Sequence, residues 1–374
     1  MRTRLSLLAT AATAAVILST ATAAGAAPDR PWGGGTGDEV PVLLTGGLVG
    51  PLHITAGRDG SVTVSESFAG RLTRVDSTGT HEVLYETPDW SVAGNAQRDG
   101  KTYVLESQGA GPDPAALAGH VRIINEDGSQ ETLGDFAALE TEENADGGTR
   151  YGFRDLPEGC ASELPPTMPE TYEGDIDSHP YGIALTDRRI YVADAGANSV
   201  VSVDLRSGET ETVAVLPPRP YTITAEAAAS NGLPACVVGS TYDFEFVPTA
   251  VAEGPDGQLY VTSLPGGPED PTLGARGAIF TVDRDGGSEP LAEDIMTPTG
   301  LAVADNGDLY VASLFGEGVL RIDPDSGDST VVLAAGAAAA VDLRGHTLYA
   351  TVNALPGPDG PPDGQVMYVE LGGH

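Results

Sequence analysis

Two histidines and a set of carboxylates are the side chains here whose types and spacing could do chemistry. His53 stands two residues after Pro51, in a column that the segments after Pro180, Pro248 and Pro298 fill with Gly182, Ala250 and Gly300. A titratable ring in a column of small residues suits a general base or a ligand contact. The competing reading is one large residue filling a narrow channel. His179 precedes Pro180 at the start of the matching segment, where a turn contact competes with a chemical role, and Tyr181 follows it. Three positions after a recurring, mostly tyrosine column stand Glu66, Glu106 and Asp194, then Ser263 and Ser313. Carboxylates converging beside Asn198 would suit Ca²⁺, a hard cation that takes oxygen ligands, so Glu66, Glu106 and Asp194 are the candidate metal ligands. They could equally cap the amides of neighbouring loops. Glu226, Asp243 and Glu245 add negative charge nearby. Arg276 is a rare cation among them, either a loop-fixing ion pair or a clamp for a ligand carboxylate. No nucleophile elbow, zinc box, Walker loop or dinucleotide fingerprint is present.

The charge excludes whole classes of partner. The 374 residues carry 54 acidic and 19 basic side chains, a formal net charge of −35. No basic footprint is on offer to nucleic acid, nor to an anionic membrane surface. The hydrophobic fraction of 40% is enough for a core. Residues 1–26 read as an export signal: Arg2 and Arg4, an apolar run from Leu5 to Leu18, then Ala24-Gly25-Ala26 before a cleavage point at Ala27. A hydrophobic helix of the fold is the competing reading. Cleavage would take the net charge from −35 to −37 and leave a Gly-rich leader over 27–38. No other stretch approaches the ~18 apolar residues of a membrane span. The expected product is a secreted monomer.

An internal repeat supplies the scaffold that would position these groups. Each block reads as an apolar strand opening after proline, a tight turn, a strand centred on Tyr-Val, a strand ending in Val/Ile-Asp, a glycine turn and a last strand. The first turns are Arg58-Asp59-Gly60, Arg98-Asp99-Gly100, Pro255-Asp256-Gly257 and Asp305-Asn306-Gly307, all hairpin signals. Six blocks fit, at about 48–85, 90–134, 179–216, 246–294, 297–335 and 337–372. Four short strands per block predict an all-β, six-bladed β-propeller over 39–374, with a pair of β-sandwiches as the rival. The sixth block ends after its third strand. Val40-Pro41-Val42-Leu43-Leu44 resembles the other fourth strands and is expected to close the ring by completing that blade, which removes two unpaired edges.

In such a ring the connections into the first strand and those between the second and third share one face. The long segments 135–178, 217–245, Gln108–Gly119, Leu264–Gly277 and Ala354–Gly364 all fall there. Varied loops gathered on one end of a rigid scaffold are where binding and catalysis sit. Segment 135–177 holds 12 acids and two basic residues. It predicts a short helix from Asp135 to about Asn144, and 222–231 predicts a second, capped by Thr222 or Thr224. Cys160 and Cys236 lie one in each insertion. An even pair in a secreted chain predicts a disulfide tying two neighbouring lids; a catalytic thiol or a metal ligand is the alternative, though the pair lacks zinc spacing.

His179-Pro-Tyr-Gly-Ile-Ala, Tyr191-Val-Ala-Asp-Ala-Gly-Ala-Asn198, Thr224-Ala-Glu-Ala-Ala-Ala, Val247-Pro-Thr with Gly254-Pro-Asp-Gly-Gln-Leu-Tyr-Val261, and Ser263-Leu-Pro-Gly-Gly-Pro-Glu-Asp-Pro-Thr-Leu-Gly-Ala-Arg-Gly277 resemble the ScyD/ScyE family. These are secreted, NHL-like six-bladed propellers. The resemblance spans nearly all of the chain after residue 26 and implies fold and export. It brings no catalytic residue set. Gluconolactonase-like propellers are a more distant comparison; they hold a divalent metal on the axis with acidic and Asn side chains, whereas the corresponding strands here carry no acid. Two readings follow. One is a secreted binding or interaction protein whose acidic, loop-rich face takes a small molecule, glycan, peptide, protein or cation. The other is an extracytoplasmic metal-assisted hydrolase or lyase with His53 or His179 as general base.

Overall fold

The computed structural model describes residues 40–109, 114–268, 271–356 and 362–372; the segments read as an export signal and leader, parts of three connecting loops and the last two residues lie outside them. Among the described residues the chain forms seven four-stranded antiparallel sheets. Six of them match the six repeat blocks. The first runs Pro51–Ala56, Val62–Glu66, Arg71–Val75, His81–Glu86, paired in chain order. Sheets two to five begin at Ser91, Pro180, Phe246 and Pro298 and end at Leu133, Val215, Ile295 and Ala334. The sixth contains Ala340–Arg344, Thr347–Val352 and Gly364–Glu370. Its fourth strand is Val42–Leu48, which pairs antiparallel with Gly364–Glu370, Val42 opposite Tyr368 and Leu48 opposite Gly364. The strand expected at 40–44 therefore starts later and runs further.

The turn chemistry follows the sequence. Asp99 and Gly100 adopt φ of 51° and 73°, the left-handed pair of a two-residue hairpin. Asp76 accepts from the backbone amides of Thr78 and Thr80 at 2.8 and 2.9 Å, and Asp204 and Asp323 close their turns in the same way. Part of the acidic excess is therefore turn chemistry.

In these six sheets the first strand of each packs against the first strand of the next, and Ala340–Arg344 packs against Pro51–Ala56. Hydroxyls pin these strands together. Thr55 Oγ1 donates to Asn95 O at 2.7 Å, Thr249 Oγ1 to Pro298 O at 2.7 Å and Thr299 Oγ1 to Ala339 O at 2.9 Å. The backbones approach so closely that a methyl on Gly182 would sit 2.7 Å from Ala250 Cα, and one on Gly300 2.7 Å from Ala340 Cα. This is why the column holding His53 is otherwise small. The apolar core lies between neighbouring sheets: Tyr191, Val261 and Phe280 fill the space between the third and fourth, and Leu105, Ile190 and Val203 that between the second and third.

The seventh sheet is built from the two insertions. Its strand order is Thr171–Glu173, Arg150–Phe153, Thr241–Phe244, Arg219–Thr222. The expected pair of separate lids is thus one subdomain, because each insertion alone supplies only two short strands and neither could bury a face. Its core joins Phe153, Ile223, Val237, Tyr242 and Phe244. The Cys160–Cys236 disulfide crosses it, with Cα atoms 5.8 Å apart. Helix α1 (Phe136–Glu143) is capped by Asp135, which accepts from Ala138 N at 3.0 Å, and ends at Asn144 with φ 41°. Helix α2 (Ala225–Ser230) takes Thr224 as its N-cap, accepting from Ala227 N at 3.0 Å. Of the two threonines, Thr222 is instead the last residue of a strand.

Candidate functional site

The residues expected to ring the axis with ligands act instead as clasps. Pro51, Pro180, Pro248 and Pro298 pair across to Glu66, Asp194, Ser263 and Ser313, so these four are equivalent positions. Glu66 is fully buried and accepts from Val49 N at 2.7 Å, from Arg71 Nε and Nη2 at 2.7 and 2.8 Å, and from Thr73 Oγ1 at 2.5 Å. Burial pushes its pKa up, but the Arg71, Thr73 and Val49 hydrogen bonds outweigh that and hold it below the ordinary carboxylate value. Asp194 accepts from Ser178 Oγ at 2.7 Å, His179 N at 2.6 Å and Gly196 N at 3.1 Å, while burial pushes its pKa up to about 6. Ser263 and Ser313 donate to Val247 O and Met296 O. Each side chain thereby holds the loop entering its own sheet. Glu106 lies 2.9 Å from His120 Nε2 and 3.0 Å from Arg122 Nη2, both on the neighbouring strand. Glu66, Glu106 and Asp194 are each committed within a separate sheet. Among the described residues no three His, Cys, Asp or Glu side chains are placed to hold one metal ion.

The histidines do come together. His53 and Tyr181 meet edge to face, ring centroids 4.4 Å apart, and Tyr181 lies 6.3 Å from His179. His53 is 8% exposed and its Nε2 is buried without a hydrogen-bond partner. Burial, with the charge of a protonated His179 adding to it, pushes its pKa down to about 3. Burial alone pushes His179 down to about 4. Both rings are neutral at pH 7. His53 packs like a filler of the channel. His179 is half-buried and borders open space, with Nδ1 3.4 Å from Ser107 Oγ.

That space is an open cleft of about 460 Å³ lined by Asp89, Ser91, Ser107, Gln108, Gly109, Ala116 and His179. Its walls come from the connections entering the second and third sheets and from the one between strands Lys101–Gln108 and Ala118–Ile124. These are the loops expected to share a face. Gln108 Nε2 donates to Asp89 O at 2.7 Å and ties two of the walls together. Of the lining side chains only His179 had been singled out from sequence. Ser91, Ser107 and Gln108 belong to no motif, and their place beside His179 depends on how two sheets pack.

The remaining candidates lie in or against the seventh sheet. Asp243 pairs with Arg154 across that sheet. Arg276 is 5% exposed, stacks 4.7 Å from the Phe244 ring centroid, and donates from Nη2 to Pro268 O at 3.0 Å. It stacks on an aromatic face and so ties its loop to the subdomain. Glu226 is exposed in the first turn of α2. Glu245 and Asn198 fall within a buried group that also contains Glu140, Asp146 and Asp177, none of which stood out from sequence beyond the acid count of their segment. Burial raises Glu140 to about 8, with the charges of Asp194 and Asp146 contributing, and burial likewise raises Asp146 and Glu245.

No family model matches the chain, and no curated protein matches it in sequence. Solved structures do share its fold. A sugar dehydrogenase from Streptomyces coelicolor, described as PQQ-bound, matches with a TM-score of 0.54 and 16% identity over 89% of this chain and 98% of that one. A gluconolactonase from Xanthomonas campestris matches at 0.51 and 16% over 90% and 91%. A Bacteroides thetaiotaomicron protein of unknown function matches at 0.55 and 9% over 89% and 76%. The neighbours are propeller proteins, so the likeness places this chain in the propeller class of all-β folds. At these identities it carries the fold alone.

Proposed function

We propose that this protein is a secreted six-bladed propeller of the ScyD/ScyE kind that binds a polar ligand on its loop-rich face, in the cleft beside His179. Six repeat blocks, the ring of packed first strands and the pairing of Val42–Leu48 with Gly364–Glu370 support the closed six-bladed reading. The disulfide is compatible with export. The observation that carries the binding site is the cleft itself. Its hydroxyls (Ser91, Ser107), amide (Gln108) and neutral imidazole (His179) both donate and accept hydrogen bonds, and Asp89 accepts. A hydroxyl-rich small molecule or glycan matches that inventory.

The Ser107–His179 contact is the one feature that favours an enzyme. Among the described residues no carboxylate holds the ring of His179; Asp194 binds its backbone amide instead. Glycan and small-molecule arrays probed with the wild type and with His179→Ala and Gln108→Ala would test the proposal. A ligand recovered intact and lost in both variants is the expected result. A ligand retained by both variants would place the site elsewhere, and a ligand converted to product would establish the hydrolase or lyase reading.

A further inference from the structure

The cleft beside His179 has a sign of charge as well as a set of hydrogen-bonding groups. Among its lining side chains Asp89 alone carries a formal charge, and Asp89 is exposed. Its backbone carbonyl accepts from Gln108 Nε2 at 2.7 Å, which fixes the wall that carries it. Among the described residues no base is ion-paired with its carboxylate. The connections 87–90 and 109–117, which supply Asp89, Gly109 and Ala116 to the walls, hold no lysine or arginine. Arg122, on the strand that follows the second of these, is committed to Glu106 at 3.0 Å, and Arg154 is ion-paired with Asp243. His179 adds no positive charge, because burial pushes its pKa down to about 4. Its neutral ring accepts a hydrogen bond at one nitrogen, as the hydroxyls of Ser91 and Ser107 also do. The chain around the cleft carries a formal net charge of −35, and a cleft focuses the field of the charges that surround it.

We propose that the ligand of this cleft is a hydroxyl-rich cation, an amino sugar or a short chain of them, whose ammonium group Asp89 holds while Ser91, Ser107, Gln108 and His179 bond its hydroxyls. The inference rests on the reading of this cleft as the binding site. An ammonium group has three donors and no acceptor. A carboxylate, hydroxyl oxygens and a neutral imidazole can all accept from it, and no lining group repels it. A sugar acid or sulfated sugar would instead bring an anion to walls that hold no base, and its desolvation would go uncompensated. A neutral sugar would bond the hydroxyls and leave the carboxylate unused. Amino sugars therefore use the whole of the lining, and neutral sugars only part of it.

Calorimetric titration of the purified protein at about pH 6 and low salt, where the amines are protonated and charge is least screened, tests this. The probes are chitobiose with its amines free, the same disaccharide N-acetylated, cellobiose and digalacturonic acid. The free-amine sugar should bind about tenfold more tightly than the acetylated sugar or cellobiose, the effect of one hydrogen bond to a charged group. Digalacturonic acid should not bind. Asp89→Asn should remove that tenfold advantage and leave the affinity for cellobiose unchanged. Glu82→Gln, exposed on the outer strand of the first sheet, should alter neither. Equal affinities for the amine and neutral sugars, both lost in His179→Ala, would overturn the amine selection and leave the cleft as the binding site. An advantage that survives Asp89→Asn, or that Glu82→Gln reduces as much, would trace it to bulk charge and overturn the assignment to Asp89. A wild type that binds none of the four probes would also overturn the inference, and the array with His179→Ala decides the cleft reading separately.

Discussion

Replacing Cys160 and Cys236 together by serine removes the covalent link between the two insertions. The cysteines are 76 residues apart, and the chain between them includes the whole third sheet. In the chain-entropy account, a loop of that length restricts the unfolded chain by about 4 kcal/mol at 25 °C. The folded state keeps its other ties. Phe153 still pairs with Tyr242, Arg154 N still donates to Thr241 O at 3.0 Å, and the apolar core of Phe153, Ile223 and Phe244 remains. The double variant is therefore expected to fold and to lose about 4 kcal/mol in equilibrium urea unfolding, with far-ultraviolet circular dichroism and Trp90 fluorescence reporting together. A loss under about 1 kcal/mol would refute the entropic argument, showing that the insertions already associate in the unfolded chain. A split transition, with the seventh sheet melting first, would refute the view that this sheet and the ring form one cooperative unit.

Other perturbations follow from the same geometry. Gly182→Ala places a methyl 2.7 Å from Ala250 Cα and should destabilise by roughly 1–3 kcal/mol in urea unfolding, whereas Gly128→Ala, in open space but at φ 80°, tests backbone strain alone. His53, with its pKa depressed from 6.5 to about 3, contributes stability that is present above pH 6.5 and lost as pH falls toward 3. His53→Asn should flatten the fall in melting temperature over that window, and an unchanged profile would remove His53 as its source. Glu66→Gln weakens the clasp on Val49 and leaves Arg71 without its counter-charge, a loss on the order of 3 kcal/mol by thermal or urea unfolding.

The repeat was legible because it is local. Alternating apolar residues, Asp-Gly turns and Val/Ile-Asp strand ends recur within each block, and six blocks match six sheets to within a few residues at most of their ends. The helix caps at Asp135 and Thr224 and the cysteine pair were legible for the same reason. In that column the same spacing serves local tasks: Glu66, Asp194, Ser263 and Ser313 bond to the segment entering their own sheet, and Glu106 pairs with His120 and Arg122 on the next strand. Spacing alone does not distinguish a carboxylate aimed inward from one turned back on its own sheet.

The sequence by itself determined the strand periodicity, the turns and which residues share a column, since these depend on neighbours a few positions away. Only the tertiary structure decided that two insertions separated by the whole third sheet would merge into one sheet, and that Ser107 would face His179. It also decided that Glu140, Asp146 and Asn198 would be buried in one place. Burial and counter-charge are properties of packing between distant segments, and no local pattern of residue types carries them.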